Sequence, residues 1–523
     1  MNNKKPSVLL VNPEEYNISN MNSCRFPVSL LYIAGSLESI DIEVNIVDLK
    51  INTIDEIVFD DYLFVGITML TGRMIKDGLN VLQLFKDYNP DIPTVIGGVH
   101  PTLLAEQSLK NELVDFVVMG EGEETIKELS NALLLNDVNL FQDIKGLAYK
   151  VDNKIHINSG RVPSNMDELP IHLPYHLIGH DLSQVKLLPL HTSRGCPFRC
   201  AFCYNVAVNE RKYRTKSASL VIQELDYILK KYPNVIAIDF QAEDEFFIYP
   251  KRIKQLFEAI EEQKIKKIHW SAFLRWDTLS RVDDDLLNLI YEISFPVFSL
   301  GSESGNQRVL DEIIIKDIKI NQIIEGTLRL TEKKINHISS FMCCLPTESL
   351  DELKDTLKLV RHLYEESLYF SINGIFMFNP IPGTHLFDRV VKDFNFNPPQ
   401  NLIDWGDYEM GMLPIDAITW QTKRHALFCQ DLSNWAKSGK PFAYFRTYND
   451  FINDPMHKNT INDTFFNFLK YIFMSAIQRL RYKTMFFKYP FEFELIRQIE
   501  RLQQPKRLQR LINKFFPAFK SQM

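Results

Sequence analysis

Short apolar runs that stop at glycine, proline or an acidic turn constrain this chain more than any other feature. Residues 8–13, 44–48, 63–68, 94–98 and 114–120 are five such runs, each close to continuously hydrophobic. A strand buried on both faces reads this way, because helices cover a parallel sheet on each side. Stretches between the runs, such as residues 79–85, space their apolar residues at a helical period. Strand and helix in alternation predict an α/β fold, a doubly wound parallel sheet with its binding crevice at the carboxyl ends of the strands. The alternation pauses at a proline-rich linker over residues 169–174. It resumes with strands over 186–191 and 235–240 and an amphipathic helix over 219–230, and runs on to about residue 385. This second block predicts a partial (β/α)6 barrel whose site again lies at strand carboxyl ends. A chain of 523 residues is too long for one core. The expected organisation is a sheet domain over 1–160, a barrel over 161–400 and a mostly helical, aromatic-rich C-terminal region over 401–523.

Composition narrows the class. Hydrophobic residues at 45% and charged residues at 24% describe an ordinary globular protein. A net charge of -7 argues against nucleic acid as the main partner. No apolar run reaches the ~18 residues of a membrane span. From Lys470 onward, twelve Lys or Arg stand against three Asp or Glu, interleaved with Phe and Leu. Such a basic aromatic stretch suits either a cap on the barrel or peripheral contact with an acidic membrane surface.

Three of the seven cysteines, Cys196, Cys200 and Cys203, share one loop at CxxxCxxC spacing. Three thiolates so placed reach three corners of a cubane iron-sulfur cluster and leave the fourth iron without a protein ligand. Three cysteines cannot all pair as disulfides, and the amino terminus does not read as a secretory leader. A structural zinc site wants a fourth ligand, and nothing pairs with the nearby His191 at finger-like spacing. Reduced thiols and an iron-sulfur loop point to the cytoplasm. Cys24, Cys343, Cys344 and Cys429 are scattered and read as small core residues.

The cysteine loop, with the aromatic Phe202 before its last cysteine, resembles the signature of the radical S-adenosylmethionine (radical SAM) superfamily. That resemblance implies a 4Fe-4S cluster held by the three cysteines and S-adenosylmethionine chelated at the open iron. It places Phe202, Glu243, Asp244, Arg275 and Glu303 at the S-adenosylmethionine site. Glu243 and Asp244 follow the second barrel strand, where the superfamily holds the methionine ammonium. Arg275 and Glu303 sit in two further motifs, residues 271–277 and 300–305, continued by Val309, Leu310 and Lys316. In the motif of residues 341–348, Cys344 stands where the family usually has glycine. Residues 378–384 resemble the closing strand and turn.

Ahead of the barrel, Gly66-Ile67-Thr68, Gly97-Gly98-Val99-His100-Pro101 and Gly120-Glu121-Gly122-Glu123, with Phe26-Pro27 and Leu31 to Ala34, resemble the cobalamin-binding domain found upstream of many radical SAM enzymes. The resemblance implies cobalamin contacts from Thr68, Gly97, Gly98, Gly120 and Glu121. The loop over residues 14–26 has no histidine and no DxHxxG pattern, so no histidine ligand to cobalt is expected from it. His100 is a loop residue that either lies near the ligand or is a turn residue.

The resemblance covers about residues 5–390 and implies a class B radical SAM methyltransferase-like enzyme, which methylates an unactivated carbon of a biosynthetic intermediate. An oxidative cyclase or rearrangement enzyme shares both domains, and a non-catalytic corrinoid carrier or sensor is the alternative of another class. Methylthiotransferases carry three further N-terminal cysteines, whereas only Cys24 lies in that region here. Implied partners are a small-molecule or lipid-like substrate and an external electron donor such as a flavodoxin or ferredoxin.

Overall fold

The computed structural model describes residues 5–13, 26–179, 181–240, 244–408, 413–438, 441–447, 450, 453 and 465–495. The loop over 14–25, with Cys24, and Glu243 lie outside the described residues.

The N-terminal sheet begins with five parallel strands, β1 (Ser7–Asn12), β2 (Glu43–Asp48), β3 (Val65–Thr68), β4 (Thr94–Gly97) and β5 (Phe116–Val118), in the order β2-β1-β3-β4-β5. All six residues of β1 are buried. Val8 and Leu10 enter one apolar cluster and Leu9 and Val11 the other, so the pleat delivers alternate side chains to two cores. A run without polar interruption is the sequence image of that double burial. The crossover between β1 and β3 is the switch point at which such sheets open a crevice.

Two further strands were not legible in the sequence. β6 (Leu147–Val151) pairs antiparallel with β5, and β7 (Lys154–Ile157) folds back on β6. The two-residue turn Asp152-Asn153 has φ of 50° and 59°. Positive φ at both positions is what a tight type I′ hairpin demands, and Asp and Asn tolerate it.

The second sheet starts with β8 (Leu187–Pro189). A short antiparallel ribbon of β9 (Ser193–Gly195) and β10 (Tyr213–Thr215) follows, bracketing the cysteine loop. The sheet then continues with β11 (Ala237–Asp239), β12 (His269–Leu274), β13 (Phe295–Glu303), β14 (Asn336–Cys343) and β15 (Phe370–Met377). Its six strands, β8 and β11 to β15, run parallel in sequential order, as a partial (β/α)6 barrel requires. The helix expected over 219–230 is Ala218–Lys231, and it packs against the helix Pro250–Glu262.

The two sheets are welded rather than tethered. Val8 and Leu10 of the first and Leu188 and Ile238 of the second belong to one continuous apolar cluster. The linker takes part: Pro170 lies so close to Gly35 that an added Cβ there would stand 3.0 Å away.

The C-terminal region does two jobs. Residues 403–407 return to the outer face of the first sheet domain, where Trp405 donates a hydrogen bond to Gln107 (2.7 Å) and packs edge-on against His100. The helix Lys423–Lys437 then packs along β15, the strand left without a neighbour on one side, with the Lys437 ammonium 4.9 Å over the Phe376 ring. An edge protected in this way is closed to pairing with other chains. Among the described residues, no helix is long and apolar enough to cross a membrane.

Candidate active site

The cysteine loop is held on every side. At its start Gly195 has φ +85°, and a Cβ there would strike the Lys212 carbonyl of the approaching chain. In its middle, Ala201 donates its N–H to the Ile314 carbonyl (2.7 Å) and accepts from the Leu386 N–H (2.9 Å). Asp244 ties the two ends together, accepting from the Gly195 N–H (3.0 Å) and the Asn205 side-chain amide (2.7 Å). Arg275 reaches in from the end of β12. It pairs with Asp277 (2.8 Å), approaches the Cys200 Sγ to 3.1 Å, donates to the Lys316 carbonyl and lies 3.6 Å over the Phe198 ring.

Cys196, Cys200 and Cys203 are free and half-buried. Burial pushes the Cys196 thiol up to about 12 and the Cys203 thiol up to about 11. A metal charge reverses that preference, because a coordinating thiol is deprotonated by the ion it binds. Among the described residues, no three His, Cys, Asp or Glu side chains gather as ligands of a single ion. A cubane asks for something else, since each cysteine binds its own iron.

A cavity of about 280 Å³ opens beside the loop at the carboxyl ends of β12 to β15. Of the residues expected at the S-adenosylmethionine site, Phe202, Asp244, Arg275 and Glu303 line it together with the three cysteines. Glu303 is both a cavity residue and half of an internal ion pair, with Lys316 Nζ at 2.6 Å. Glu303 itself has φ +59°, an uncommon conformation for a non-glycine residue and one imposed where β13 breaks register with β14. Glu245 is the residue that sequence reasoning missed. It lines the same cavity, accepts from Thr278 Oγ1 (2.9 Å), and burial raises its carboxyl to about 7. Three of the six residues after β11 are acidic, and only the backbone path decides which of them turns inward. Cys344, where the family usually has glycine, is buried and keeps a left-handed φ of +61°. That is a conformation glycine adopts readily and other residues rarely.

A second cavity, about 290 Å³, lies at the carboxyl ends of β1, β3, β4 and β5 and is closed on its far side by β9. Thr68, Gly97, Gly98, Gly120 and Glu121 all line it. Gly98 has φ +102°, and a Cβ would sit 2.7 Å from the Met69 carbonyl, so only glycine fits. Glu121 is less free than a ligand contact would be, because it pairs with Arg214 and with Arg194 (3.2 Å). Arg194 also pairs with the buried Glu123 at 2.6 Å and stacks 4.6 Å from the Tyr32 ring. These pairs bridge the sheet domain and the ribbon that carries the cysteine loop. His100 is not among the residues lining this cavity. It is buried, shares a hydrogen bond of 2.9 Å with Thr71 and packs on Trp405, and burial lowers its ring to about 4. It is a core histidine.

Asp244 lines both cavities. Gly195 and Cys196, and likewise Tyr204 and Cys203, are chain neighbours that face one cavity and the other.

Residues 190–360 match the Radical SAM superfamily, and residues 17–130 match the B12 binding domain. An uncharacterized methyltransferase of Pyrococcus horikoshii is 30% identical over 70% of this chain and 79% of its own. The chain belongs to the cobalamin-binding radical SAM family. An anaerobic magnesium-protoporphyrin IX monomethyl ester cyclase of Rubrivivax gelatinosus is 26% identical to this radical SAM protein, over 71% of this chain and 68% of its own. The fold of the present chain is similar to that of the radical SAM methyltransferase TsrM of Kitasatospora setae, solved with cobalamin and a 4Fe-4S cluster bound. The TM-score is 0.60 at 15% identity, over 75% of this chain and 76% of that one.

The family's cofactors are the 4Fe-4S cluster, S-adenosylmethionine and cobalamin, and the two cavities fit them. The first offers three thiols and buried charge. The second offers aliphatic walls from Leu30, Ile33, Val95 and Ile126, edged by glycine backbone that a flat macrocycle can approach closely.

Proposed function

We propose that this radical SAM protein is a cobalamin-dependent methyltransferase that acts on an unactivated carbon of a small-molecule or lipid-like biosynthetic intermediate. It works in the cytoplasm with a flavodoxin- or ferredoxin-type electron donor. When bound, the cluster and S-adenosylmethionine supply a 5'-deoxyadenosyl radical, and the corrinoid supplies a methyl group. Cys196, Cys200 and Cys203 are the cluster ligands in this reading. Arg275 positions the loop and sets positive charge beside Cys200. Phe202, Glu303 with its Lys316 partner, and Glu245 line the space for S-adenosylmethionine. Asp244 braces the loop by accepting hydrogen bonds from Gly195 and Asn205, and a carboxylate holding one bond on each oxygen keeps lone pairs for the methionine ammonium. Glu243, the other residue expected there, lies outside the described residues. Thr68, Gly97, Gly98 and Gly120 form the corrinoid edge, and Glu121 orients that edge through Arg194 and Arg214.

One observation carries the reading: the two cavities share Asp244 as a wall, so a substrate between them meets both cofactors. The first experiment is anaerobic reconstitution with iron, sulfide and hydroxocobalamin, followed by reductant-dependent 5'-deoxyadenosine formation and transfer of label from methyl-labelled S-adenosylmethionine into candidate acceptors. Bound corrinoid with label transfer is the expected result. Bound corrinoid and 5'-deoxyadenosine with an unmethylated, oxidised product would favour the cyclase reading, which the Rubrivivax relative supports. No cleavage of S-adenosylmethionine after reconstitution would leave a corrinoid carrier or sensor.

A further inference from the structure

The helix Phe465–Thr484 and the segment after it present an apolar face that neither cavity uses. Ile472, Phe473 and Leu480 on the helix, and Phe486, Tyr489, Phe491 and Leu495 beyond it, are all between 41% and 71% exposed. Single exposed apolar side chains are ordinary, but seven within 24 residues make a patch of the kind that marks an interaction site.

The display is built. Arg481, itself buried, pairs with the fully buried Glu492 at 2.7 Å. Its remaining donors go to the carbonyls of Phe486 (3.2 Å), Lys488 (3.0 Å) and Tyr489 (2.8 Å). Gln478 holds Glu492 (3.0 Å) and is held in turn by the Trp435 indole (2.6 Å). Phe487 and Phe493 point into the core, at 1% and 5% exposure. One buried arginine thus fixes the turn in the pose that leaves Phe486, Tyr489 and Phe491 outside.

Charge identifies what this face meets. Lys483 and Lys488 are exposed beside the rings. The chain that follows, residues 496–523, adds seven Lys or Arg against one Glu, in a protein whose net charge is -7. In that segment Leu508, Leu511, Ile512, Phe515 and Phe516 recur at helical spacing, interleaved with Lys506, Arg507, Arg510 and Lys514. Aromatic and aliphatic groups flanked by cations match a bilayer interface, where rings sit at headgroup depth and lysines meet anionic lipid.

We infer that this C-terminal face docks the protein on an anionic membrane surface. The inference stands whether or not the reaction is methyl transfer. It is tested by co-sedimenting the full-length, anaerobically reconstituted protein with vesicles of phosphatidylcholine alone or in equal mixture with phosphatidylglycerol. Binding to the anionic vesicles is expected to be about tenfold or more tighter than to the neutral ones and to weaken as salt is raised. K483Q/K488Q should lose about tenfold on anionic vesicles only, while F486S/F491S should lose binding to both. Reductant-dependent 5'-deoxyadenosine formation in solution, unchanged in both variants, reports that the fold is intact. Three results would overturn the inference: no binding to anionic vesicles, unaltered binding by F486S/F491S, or a dimer in sedimentation velocity that F486S/F491S dissociates, since that would assign the face to a second copy of the chain.

Discussion

The two cavities are nearly equal in size, about 290 and 280 Å³, and differ in the groups that line them. The one on the N-terminal sheet is walled by aliphatic side chains and edged by glycine backbone, and apart from the shared Asp244 its charged residues, Glu121, Glu123 and Arg194, are tied to one another across the domain boundary. The barrel cavity is walled by thiols and by charged groups that are themselves buried: Glu245, Arg275, Glu303 and Lys316. A large macrocycle is held by shape and by close backbone approach, so its site needs few functional side chains. A redox centre with a cationic substrate is held by ligation and charge, so its site needs many, each compensated because an unpaired buried charge is costly. The contrast separates what each mutation should do.

The largest effect should come from Cys200→Ala, which is expected to abolish reductant-dependent 5'-deoxyadenosine formation while bound corrinoid, read by its visible absorbance, is retained. Loss of both would show that the cavities are not separate in function. Next is Arg194→Met, which leaves Glu121 and Glu123 without this partner at the join between the two regions. Removing one partner of a buried pair typically costs about 3–5 kcal/mol, and urea unfolding should register it. A change well below that would mean that the shared apolar core, not the ion pairs, holds the sheets together.

Gly98→Val tests the backbone edge. Forcing a β-branched residue to φ +102° against the Met69 carbonyl should destabilise by about 1–3 kcal/mol and reduce retained corrinoid, with 5'-deoxyadenosine formation persisting. Equal retention of corrinoid would remove Gly98 from the site.

The smallest effect is a pH dependence confined to the barrel side. Burial raises the Glu348 carboxyl from the usual 4.5 to about 8, so the folded state binds this proton more tightly than the unfolded chain does. Its stabilising contribution is complete below pH 4.5 and is lost as pH rises through about 8. Glu348→Gln should flatten that decline, shrinking the fall in Tm between about pH 6 and about pH 9 by a few degrees. An unchanged slope would place the dependence on another buried carboxyl, such as Glu224 or Glu245, each held at about 7.

How much of the site could be read in advance follows from the same contrast. Cys196, Cys200 and Cys203, the proposed cluster ligands, were legible because a cluster needs its ligands at fixed chain spacing, and that spacing survives in any one-dimensional view. The proposed corrinoid edge was legible at Gly98 and Gly120, because left-handed backbone leaves glycine behind. Glu245 was not, since neighbouring carboxylates differ only in the direction the chain turns after β11. Asp244 was placed at the right cavity, but its bracing contacts depend on Gly195 and Asn205, dozens of residues away. The gathering of Cys343 and Cys344 beside Cys429 was equally hidden: Cys343 Sγ lies 3.8 Å from the Cys429 carbonyl, and the two positions are 86 residues apart.

Local signals therefore determined the two strand-helix blocks, the cluster loop and the glycine edges, because burial on both faces, ligand spacing and positive φ each leave a mark within a few residues. The tertiary structure alone decided that Asp244 would be a common wall, that Arg194 would join the two regions, that Trp405 would return to the first sheet and that Arg481 would turn Phe486 and Phe491 outward. Each of those outcomes is a contact between distant segments, and a contact exists only once packing has chosen which faces meet.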